Sequence, residues 1–349
     1  MEIKGEDIVF LLGAGASVEA GIPISNKMVE EIEDLVKTNR EWKVYKDLYY
    51  YLRSSIHYSD GIMGKFAEPF NVERLLVVIS QIEERERNIM YPFIGAWNSR
   101  LIDLAGVNFE NVSKFKELIR KRLYEWVGLR NYESASYYQS FNTLASDVGT
   151  LIKVFTLNYD LCFETVVGKG KEIKLGFTKS SSEWHYSNFD SDEGVSFNLY
   201  KLHGSIDWYI NNNKLYKSER LEQNPELIFG IMHKMTSVDP YFYYSSKLRE
   251  VCFNEAKIIV IIGYSYADEY VNVILAQALN AKSNLRIINV SPWKEGLEII
   301  KKDIAQKLHI ENPDQIIPVQ ATAKQFLTDI MNKEYLASQL AEPDDVPFN

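Results

Sequence analysis

A short apolar run near the amino terminus, Ile8 to Leu12, ends directly in two glycines, Gly13 and Gly15. A continuous apolar run of this length is typical of a strand buried on both faces of a parallel sheet. The glycines predict a tight turn into a helix, whose free N–H groups can bind a phosphate. The turn lacks the third glycine of the dehydrogenase GxGxxG fingerprint, because Val18 stands there. A tight turn without a ligand explains the same residues, so the turn alone leaves both interpretations open.

The rest of the chain alternates between strand and helix patterns after about residue 150. Strands are predicted at 151–156, 196–202, 257–262, 285–290 and 316–319, and helices at 161–167, 241–255, 268–280, 294–308 and 322–335. This alternation predicts an α/β fold with a doubly wound, mostly parallel, Rossmann-like sheet, which binds ligands beyond the carboxyl ends of its strands. Asn211, Asn212 and Asn213 lie between two short strand patterns and predict a hairpin.

Residues 38–147 carry a different pattern. Apolar residues recur there at helical spacing, as at Val72, Leu75, Leu76 and Ile79, and no strand pattern is found. We therefore expect a large helical insertion at 38–147 in a core made of 1–37 and 148–335. Within that core, 168–250 is expected to form a smaller substrate-side module with the hairpin, and 336–349 an acidic carboxyl-terminal tail.

Charge and cysteine content exclude several classes of protein. The 349 residues have a formal net charge of −9, which argues against direct nucleic-acid binding. The two cysteines, Cys162 and Cys252, are too few for a disulfide framework or a four-thiolate zinc site. No apolar stretch approaches the ~20 residues of a membrane span. We expect a cytoplasmic protein with no membrane contact.

Two polar side chains, Asn158 and Asp160, follow the predicted strand that ends at Thr156. At the carboxyl end of a strand, the amide can hold a ribose hydroxyl or a water, and the carboxylate can stabilise a developing positive charge. Both side chains can instead cap the helix that is predicted to start near Leu161. Spacing alone favours the capping role.

One of the five histidines, His203, lies at the end of a predicted strand and directly before a glycine. Histidine titrates near neutral pH and is the commonest general base, so this position makes His203 a candidate base. The others, at 57, 185, 233 and 309, have no zinc-ligand spacing and are interpreted as structural.

The motifs together resemble the sirtuin family. The string from Gly13, Ala14, Gly15 and Ser17 to Gly21, Ile22 and Pro23 is similar to the sirtuin signature GAGxSxxxGIP. Thr156 to Asp160 resembles the family's TQNxD motif, and His203 with Gly204 resembles its catalytic His-Gly pair. Gly263 to Ser265 and Ile288 with Asn289 resemble the later GxS and IN elements. The resemblance covers about 8–37 and 151–290.

This resemblance implies that NAD+ is the substrate. It implies pyrophosphate contacts from Gly13, Ala14, Gly15 and Ser17, and adenosine contacts from Gly263, Ser265 and Asn289. Gly21, Ile22 and Pro23 are also expected to bind the cofactor. It also implies that Asn158 and Asp160 position the nicotinamide ribose and a water, and that His203 is the base. The implied reaction is hydrolysis of NAD+ to nicotinamide and ADP-ribose, without a metal.

The chain departs from the protein-deacylating sirtuins in two ways. The four zinc-binding cysteines after the His-Gly pair are missing, and Ile24 and Ser25 replace the Phe-Arg pair after GIP. The segment Ile228 to Gly230 has only a weak resemblance to the deacylases' substrate-binding strand. The run from Leu202 to Trp208 instead resembles the zinc-free bacterial sirtuin-like NAD hydrolases of anti-phage defence.

That branch implies an abortive-infection effector that depletes NAD+. It implies control by homo-oligomer assembly or by a separately encoded partner, such as a hexameric ATPase, an Argonaute or a nucleotide-signal system. Two alternatives remain open. The chain could be an NAD-dependent protein ADP-ribosyltransferase or deacylase, or a non-catalytic sensor that binds NAD or ADP-ribose.

Overall fold

The structure is a computed structural model, and it describes residues 2–66, 68–87, 99–191, 193–218, 239–293 and 295–340. The segment Ile228 to Gly230 and the tail 341–349, both noted in the sequence, lie outside the described residues. The chain divides into two compact units. One consists of Met1–Ile22 with Gly128–Asn349, and the other of Pro23–Val127.

The strands of the described residues all belong to the first unit. They are β1 (Ile8–Leu12), β2 (Ile152–Thr156), β3 (Ile173–Lys174), β4 (Phe197–Lys201), β5 (Trp208–Asn211), β6 (Lys214–Lys217), β7 (Ile258–Ile262), β8 (Arg286–Ser291) and β9 (Ile316–Gln320). Seven of these form one parallel sheet in the order β3-β4-β2-β1-β7-β8-β9. The chain builds outward from β1 on both sides, so the predicted doubly wound parallel sheet is confirmed.

The helices of the described residues follow this order: α1 (Ser25–Thr38), α2 (Lys46–Ile62), α3 (Val72–Glu83), α4 (Ser99–Ala105), α5 (Glu110–Val127), α6 (Ser140–Val148), α7 (Cys162–Val167), α8 (Tyr241–Asn254), α9 (Glu269–Ala281), α10 (Leu297–Leu308), α11 (Ala323–Gln325) and α12 (Lys333–Ser338). A single carboxyl-terminal helix at 322–335 was predicted, and that prediction is wrong. The helix breaks after a π-helical turn, Phe326–Ile330, because Asn332 is extended and its side chain accepts a hydrogen bond from the Tyr335 amide, 2.7 Å away.

Both faces of the sheet are buried by helices. On one face, Phe10 of β1 packs against Phe141 of α6 with ring centroids 4.8 Å apart, and Phe163 of α7 packs 5.4 Å from Phe197 of β4. The opposite face forms one apolar cluster with α8, α9 and α10. Strands covered on both sides bury every residue, which explains why β1 and β7 are apolar throughout.

The predicted hairpin is formed by β5 and β6, which pair in antiparallel register. Asn212 and Asn213 have φ values of +50° and +59°. Asparagine is one of the few non-glycine residues that adopt this left-handed conformation readily, and two such residues in succession form the tight turn favoured between paired strands.

The second unit contains α1 to α5. In α1, Met28, Val29, Ile32 and Val36 are buried at helical spacing. On α5, the indole N–H of Trp126 donates to the Glu31 carboxylate at 2.7 Å. The expected insertion bounds, 38–147, differ from this unit at both ends, because α1 packs with α2 and α3, whereas α6 packs on β1.

Candidate active site

Four neighbouring strands, β1, β2, β4 and β7, end side by side at the carboxyl edge of the sheet. A motif residue follows each strand within two positions: Gly13, Asn158, His203 and Gly263. Parallel strands bring residues that are far apart in the chain to one edge, and this edge is where doubly wound folds bind their ligands.

The glycines at this edge are required by close backbone packing. A Cβ atom on Gly13 would lie 2.6 Å from the carbonyl oxygen of Gly263, and a Cβ atom on Gly15 would lie 2.6 Å from the Cα of Gly263. Gly263 has a φ of +64°, and a Cβ there would lie 2.4 Å from the backbone of Gly15. No side chain fits between backbones this close. The turn after β1 and the turn after β7 therefore form one packed structure.

Several N–H groups of the first turn already have acceptors. The amides of Gly13 and Gly15 donate to Ile262 O and Gly263 O, and Ala16 N donates to Gly13 O, each at 2.9 Å. The helix that follows, Ala14–Ala20, is a 3₁₀ helix. In this conformation the turn offers a pyrophosphate fewer free amides than its sequence suggests. Phosphate contacts from Gly13, Ala14 and Gly15 stay a prediction.

The Asn158 carboxamide lies against the first turn. Its Nδ2 donates to Gly13 O at 2.9 Å and to Ser17 Oγ at 3.3 Å, so both amide hydrogens are used. Ser17 Oγ also lies 3.2 Å from the hydroxyl of Tyr138, whose pKa is held well above its usual value by burial. These contacts orient the carboxamide, and among the described residues no hydrogen bond to its carbonyl oxygen is found.

The Asp160 carboxylate lies just before α7, whose N-cap residue is Leu161 and has no side-chain cap hydrogen bond. Its Oδ1 accepts a hydrogen bond from the Cys162 amide at 2.9 Å, at the start of α7. Beneath it, the buried ammonium of Lys201 donates to Asp160 O at 2.5 Å and to Glu164 Oε1 at 2.8 Å. Burial raises the pKa of Glu164, and the Lys201 charge acts in the opposite direction. A catalytic role for Asp160 stays a prediction.

The His203 imidazole is buried and paired with an acid. Its Nε2 lies 2.9 Å from Asp268 Oδ2, and its Nδ1 is buried without a hydrogen-bond partner among the described residues. The other carboxylate oxygen of Asp268 accepts from the amides of Tyr270 and Val271, at 3.1 and 3.3 Å, and so caps α9. The ring centroids of Tyr159 and His203 are 6.2 Å apart. The loop that carries Asn158 therefore packs beside the His203–Asp268 pair.

The residues expected to contact the adenosine lie beyond β7 and within β8. Ser265 is exposed, whereas Asn289 is buried and its Oδ1 accepts a hydrogen bond from the Tyr266 hydroxyl at 2.8 Å. Together with Gly263 they lie on the β7–β8 side of β1. Their contact with adenosine stays a prediction.

Gly21 of the signature is the C-cap residue that ends the 3₁₀ helix Ala14–Ala20, and Ile22 follows it. Gly21 has a φ of +97°, and its amide donates to Val18 O at 2.9 Å. This left-handed conformation explains the glycine without a ligand. Ile22 is buried, with its amide 3.3 Å from Ser17 O. Pro23 begins the second unit, so the signature continues from one unit into the other.

Three residues of the site were not identified from the sequence: Tyr138, Lys201 and Asp268. Tyr138 lies in the tyrosine pair Tyr137–Tyr138, and its contact with Ser17 joins residues 121 positions apart. Asp268 was recognised only as the start of a helix. An acid before a helix and shortly after a Gly-Tyr-Ser turn is a local signal for a cap, but its contact with His203, 65 residues away, has no signal in one sequence.

The described ranges contain neither a clustered metal-ligand set nor a helix that could span a membrane. Among these residues, no group of three His, Cys, Asp or Glu side chains is placed to share a metal ion. Across the same ranges, the helices lack the combined length and apolarity that crossing a bilayer requires.

Residues 152–312 match the family model of the SIR2-like domain. The chain therefore contains a sirtuin-like domain, and the match includes the loops with Asn158, His203 and Asp268. No curated protein matches the chain.

Solved structures of Sir2 proteins resemble it at low identity. A mutant Sir2 homologue in complex with 2'-O-acetyl ADP ribose is 14% identical over 97% of this chain and 94% of the other, with a TM-score of 0.44. A second mutant of a Sir2 homologue, in complex with ADP ribose, is 14% identical over 96% and 94%, with a TM-score of 0.43. Sir2Tm bound to a propionylated peptide is 12% identical over 93% and 91%, with a TM-score of 0.37. Similarity at this level does not identify a function.

Proposed function

We propose that the chain is an NAD+ glycohydrolase, which splits NAD+ into nicotinamide and ADP-ribose. The SIR2-like domain at 152–312 supports an NAD-related function. One observation carries the proposal. The Asn158 carboxamide, which follows β2, is hydrogen-bonded to the Gly13–Ser17 turn, and the buried His203 follows β4, the strand paired with β2.

The chemistry of this edge suits a dinucleotide. In the first turn Ala14 is exposed and Gly15 half-buried, so the turn presents backbone with little side chain, which a pyrophosphate can approach. The oriented carbonyl oxygen of Asn158 can accept from a ribose hydroxyl or from a water. Ser265 and Asn289 supply polar groups on the β7–β8 side, where we place the adenosine.

In the proposed reaction, the oxygen of a water bonds to C1′ of the nicotinamide ribose. The bond from C1′ to the pyridinium nitrogen breaks, and its electron pair stays on nicotinamide, which leaves as a neutral molecule. The proton released by the water passes to the imidazole of His203. Asn158 orients the water, and the negative charge of Asp160 stabilises the positive charge that develops on the sugar.

The test is to incubate the purified full chain with NAD+ and to measure nicotinamide and free ADP-ribose. Asn158→Ala and His203→Ala should each lower the rate by about a hundredfold or more. The exposed His57 lies in the second unit, so His57→Ala is the matched control and should keep the wild-type rate. Unchanged turnover in both site variants would contradict these roles.

Two other outcomes would favour the alternative functions. Mass spectrometry that finds ADP-ribose on a protein side chain, or a deacylated peptide, would indicate transfer or deacylation. Calorimetry that shows NAD+ binding with no turnover under any condition would indicate a sensor. A chain that neither binds nor hydrolyses NAD+ would overturn the proposal.

We further propose that this activity serves anti-phage defence as an NAD-depleting effector controlled by assembly. The basis is the resemblance of the Leu202–Trp208 run to the bacterial sirtuin-like hydrolases. Control would come from a homo-oligomer, or from a separately encoded ATPase, Argonaute or nucleotide-signal partner. Size-exclusion chromatography with light scattering tests self-assembly, and a strict monomer at every concentration would contradict it.

A further inference from the structure

We propose that Asp268 is a positioning residue that holds the imidazole of His203 in one tautomer, with the proton on Nε2 and the lone pair on Nδ1. The part of this proposal that concerns catalysis rests on the proposed function of His203. Asp268 is assigned no contact with substrate; it acts through the histidine.

The contact between the two side chains is short and buried. Nε2 of His203 lies 2.9 Å from Oδ2 of Asp268, and the side chains are each 5% exposed. The cavity beside them, lined by residues that include Tyr241 and Leu248, measures about 10 Å³. Because both side chains are almost fully buried, bulk water has little access to this hydrogen bond.

The protonation pattern follows from the chemistry of the donors. A carboxylate only accepts hydrogen bonds, so the contact requires a proton on Nε2. In a neutral imidazole the other nitrogen, Nδ1, then carries the lone pair. Nδ1 is the buried ring atom without a partner among the described residues, and it is therefore the ring nitrogen that can accept a proton.

The position of Asp268 is itself fixed from the helix side. Its Oδ1 accepts from the amides of Tyr270 and Val271, and the hydroxyl of Tyr264 lies 3.2 Å from its amide nitrogen and 3.0 Å from its carbonyl oxygen. One carboxylate oxygen thus caps α9 while the other faces the imidazole. The simpler alternative is that Asp268 is only a cap.

Replacement by asparagine separates the two roles. Asparagine is as good an N-cap as aspartate, so its Oδ1 can keep the bonds to the helix amides. Its Nδ2 would then face His203 and donate to Nε2, which moves the ring proton to Nδ1. Asp268→Asn therefore preserves the cap and inverts the tautomer.

The first experiment is ¹⁵N NMR of the full chain labelled at histidine, with the His203 signals assigned by their loss in His203→Gln. We expect the Nε2–H tautomer in the wild type and the Nδ1–H tautomer in Asp268→Asn. The same tautomer in both proteins would overturn the proposal. This readout needs no turnover, so it stands even if the NAD+ hydrolase assignment fails.

The second experiment separates kcat from KM for NAD+ hydrolysis. Asp268→Asn should lower kcat by about a hundredfold or more, with KM and the thermal unfolding midpoint unchanged. Asn332 caps α12, which contacts α6 on the face of the sheet opposite α9. Asn332→Asp makes the reverse exchange of residue types at that cap and should leave kcat unchanged. An unchanged kcat in Asp268→Asn would show that Asp268 is only a cap. If the wild-type protein does not hydrolyse NAD+, the proposed function is contradicted, and the NMR experiment still decides the tautomer.

Discussion

The amide nitrogen of Gly15 donates to the carbonyl oxygen of Gly263 at 2.9 Å, which joins the turn after β1 to the turn after β7. The Cα atoms of these glycines face each other's backbones, so a methyl group on either residue would occupy space that the other already fills. The first motif of the sequence is therefore a structural junction at the site, whether or not it contacts phosphate.

We predict that Gly15→Ala destabilises the fold. Its Cβ would lie 2.6 Å from Cα of Gly263, and neither backbone can yield without moving a strand end. The free energy of unfolding should fall by about 1–3 kcal/mol, as measured by denaturant titration. Gly61→Ala is the control, because a Cβ at that helical glycine meets its nearest atom only at 3.9 Å and should not destabilise. Equal stabilities of the two variants would contradict the packing argument.

A second prediction concerns the turn between β5 and β6. Asn213 has a φ of +59°, which glycine adopts more readily than asparagine and alanine adopts poorly. Asn213→Gly should leave the free energy of unfolding equal or slightly higher, whereas Asn213→Ala should lower it by about 1 kcal/mol. Thermal unfolding of the two variants tests this, and a more stable alanine variant would argue against the left-handed turn.

A third prediction addresses the ion pair of Lys201 and Glu164. The lysine side chain is fully buried and the glutamate nearly so, and the nitrogen–oxygen distance is 2.8 Å. Lys201→Met leaves a buried carboxylate without its partner and should cost about 3–5 kcal/mol. The double variant Lys201→Met with Glu164→Leu should recover most of this loss, because both charges are then gone. A double variant no more stable than the single one would contradict this account.

The same pair predicts a pH dependence for the single variant. Burial raises the pKa of Glu164, and removal of Lys201 takes away the charge that opposes the rise. A carboxyl whose folded-state pKa is raised favours folding at low pH, and this contribution is lost as pH rises through the folded-state pKa. The stability deficit of Lys201→Met should therefore be smaller at pH 5 than at pH 8. A deficit that grows on acidification would contradict the sign.

The two thiols provide a fourth prediction. Burial raises the pKa of Cys252 to about 12 and also raises the pKa of Cys162. Since the thiolate is the reactive form, iodoacetamide at pH 8 should modify neither cysteine of the native protein, and both should react once it is unfolded. Mass spectrometry of the intact chain gives the count. Rapid native modification of either thiol would contradict its burial.

The sequence predicted the main architecture well because its signals are local. The apolar run before Gly13 and the runs ending at Thr156 and Ile262 each indicate a buried strand from a few neighbouring residues. The edge strand Ile173–Lys174 was missed because two residues are too few for a periodic pattern. The break at Asn332 was missed because the apolar spacing continues through it, and only its extended backbone and capping contact show that one helix has ended.

The sequence by itself determined which residue types follow each strand of the central sheet, since apolar runs, glycines and polar strand ends are properties of neighbouring residues. The tertiary structure alone decided which atoms meet. It placed the Asn158 amide on Gly13 and Ser17, gave the Gly13 and Gly15 amides acceptors within the protein, and brought Asp268 to His203. Such contacts join residues far apart in the chain, and they depend on strand order, loop path and rotamer together, none of which a local pattern contains.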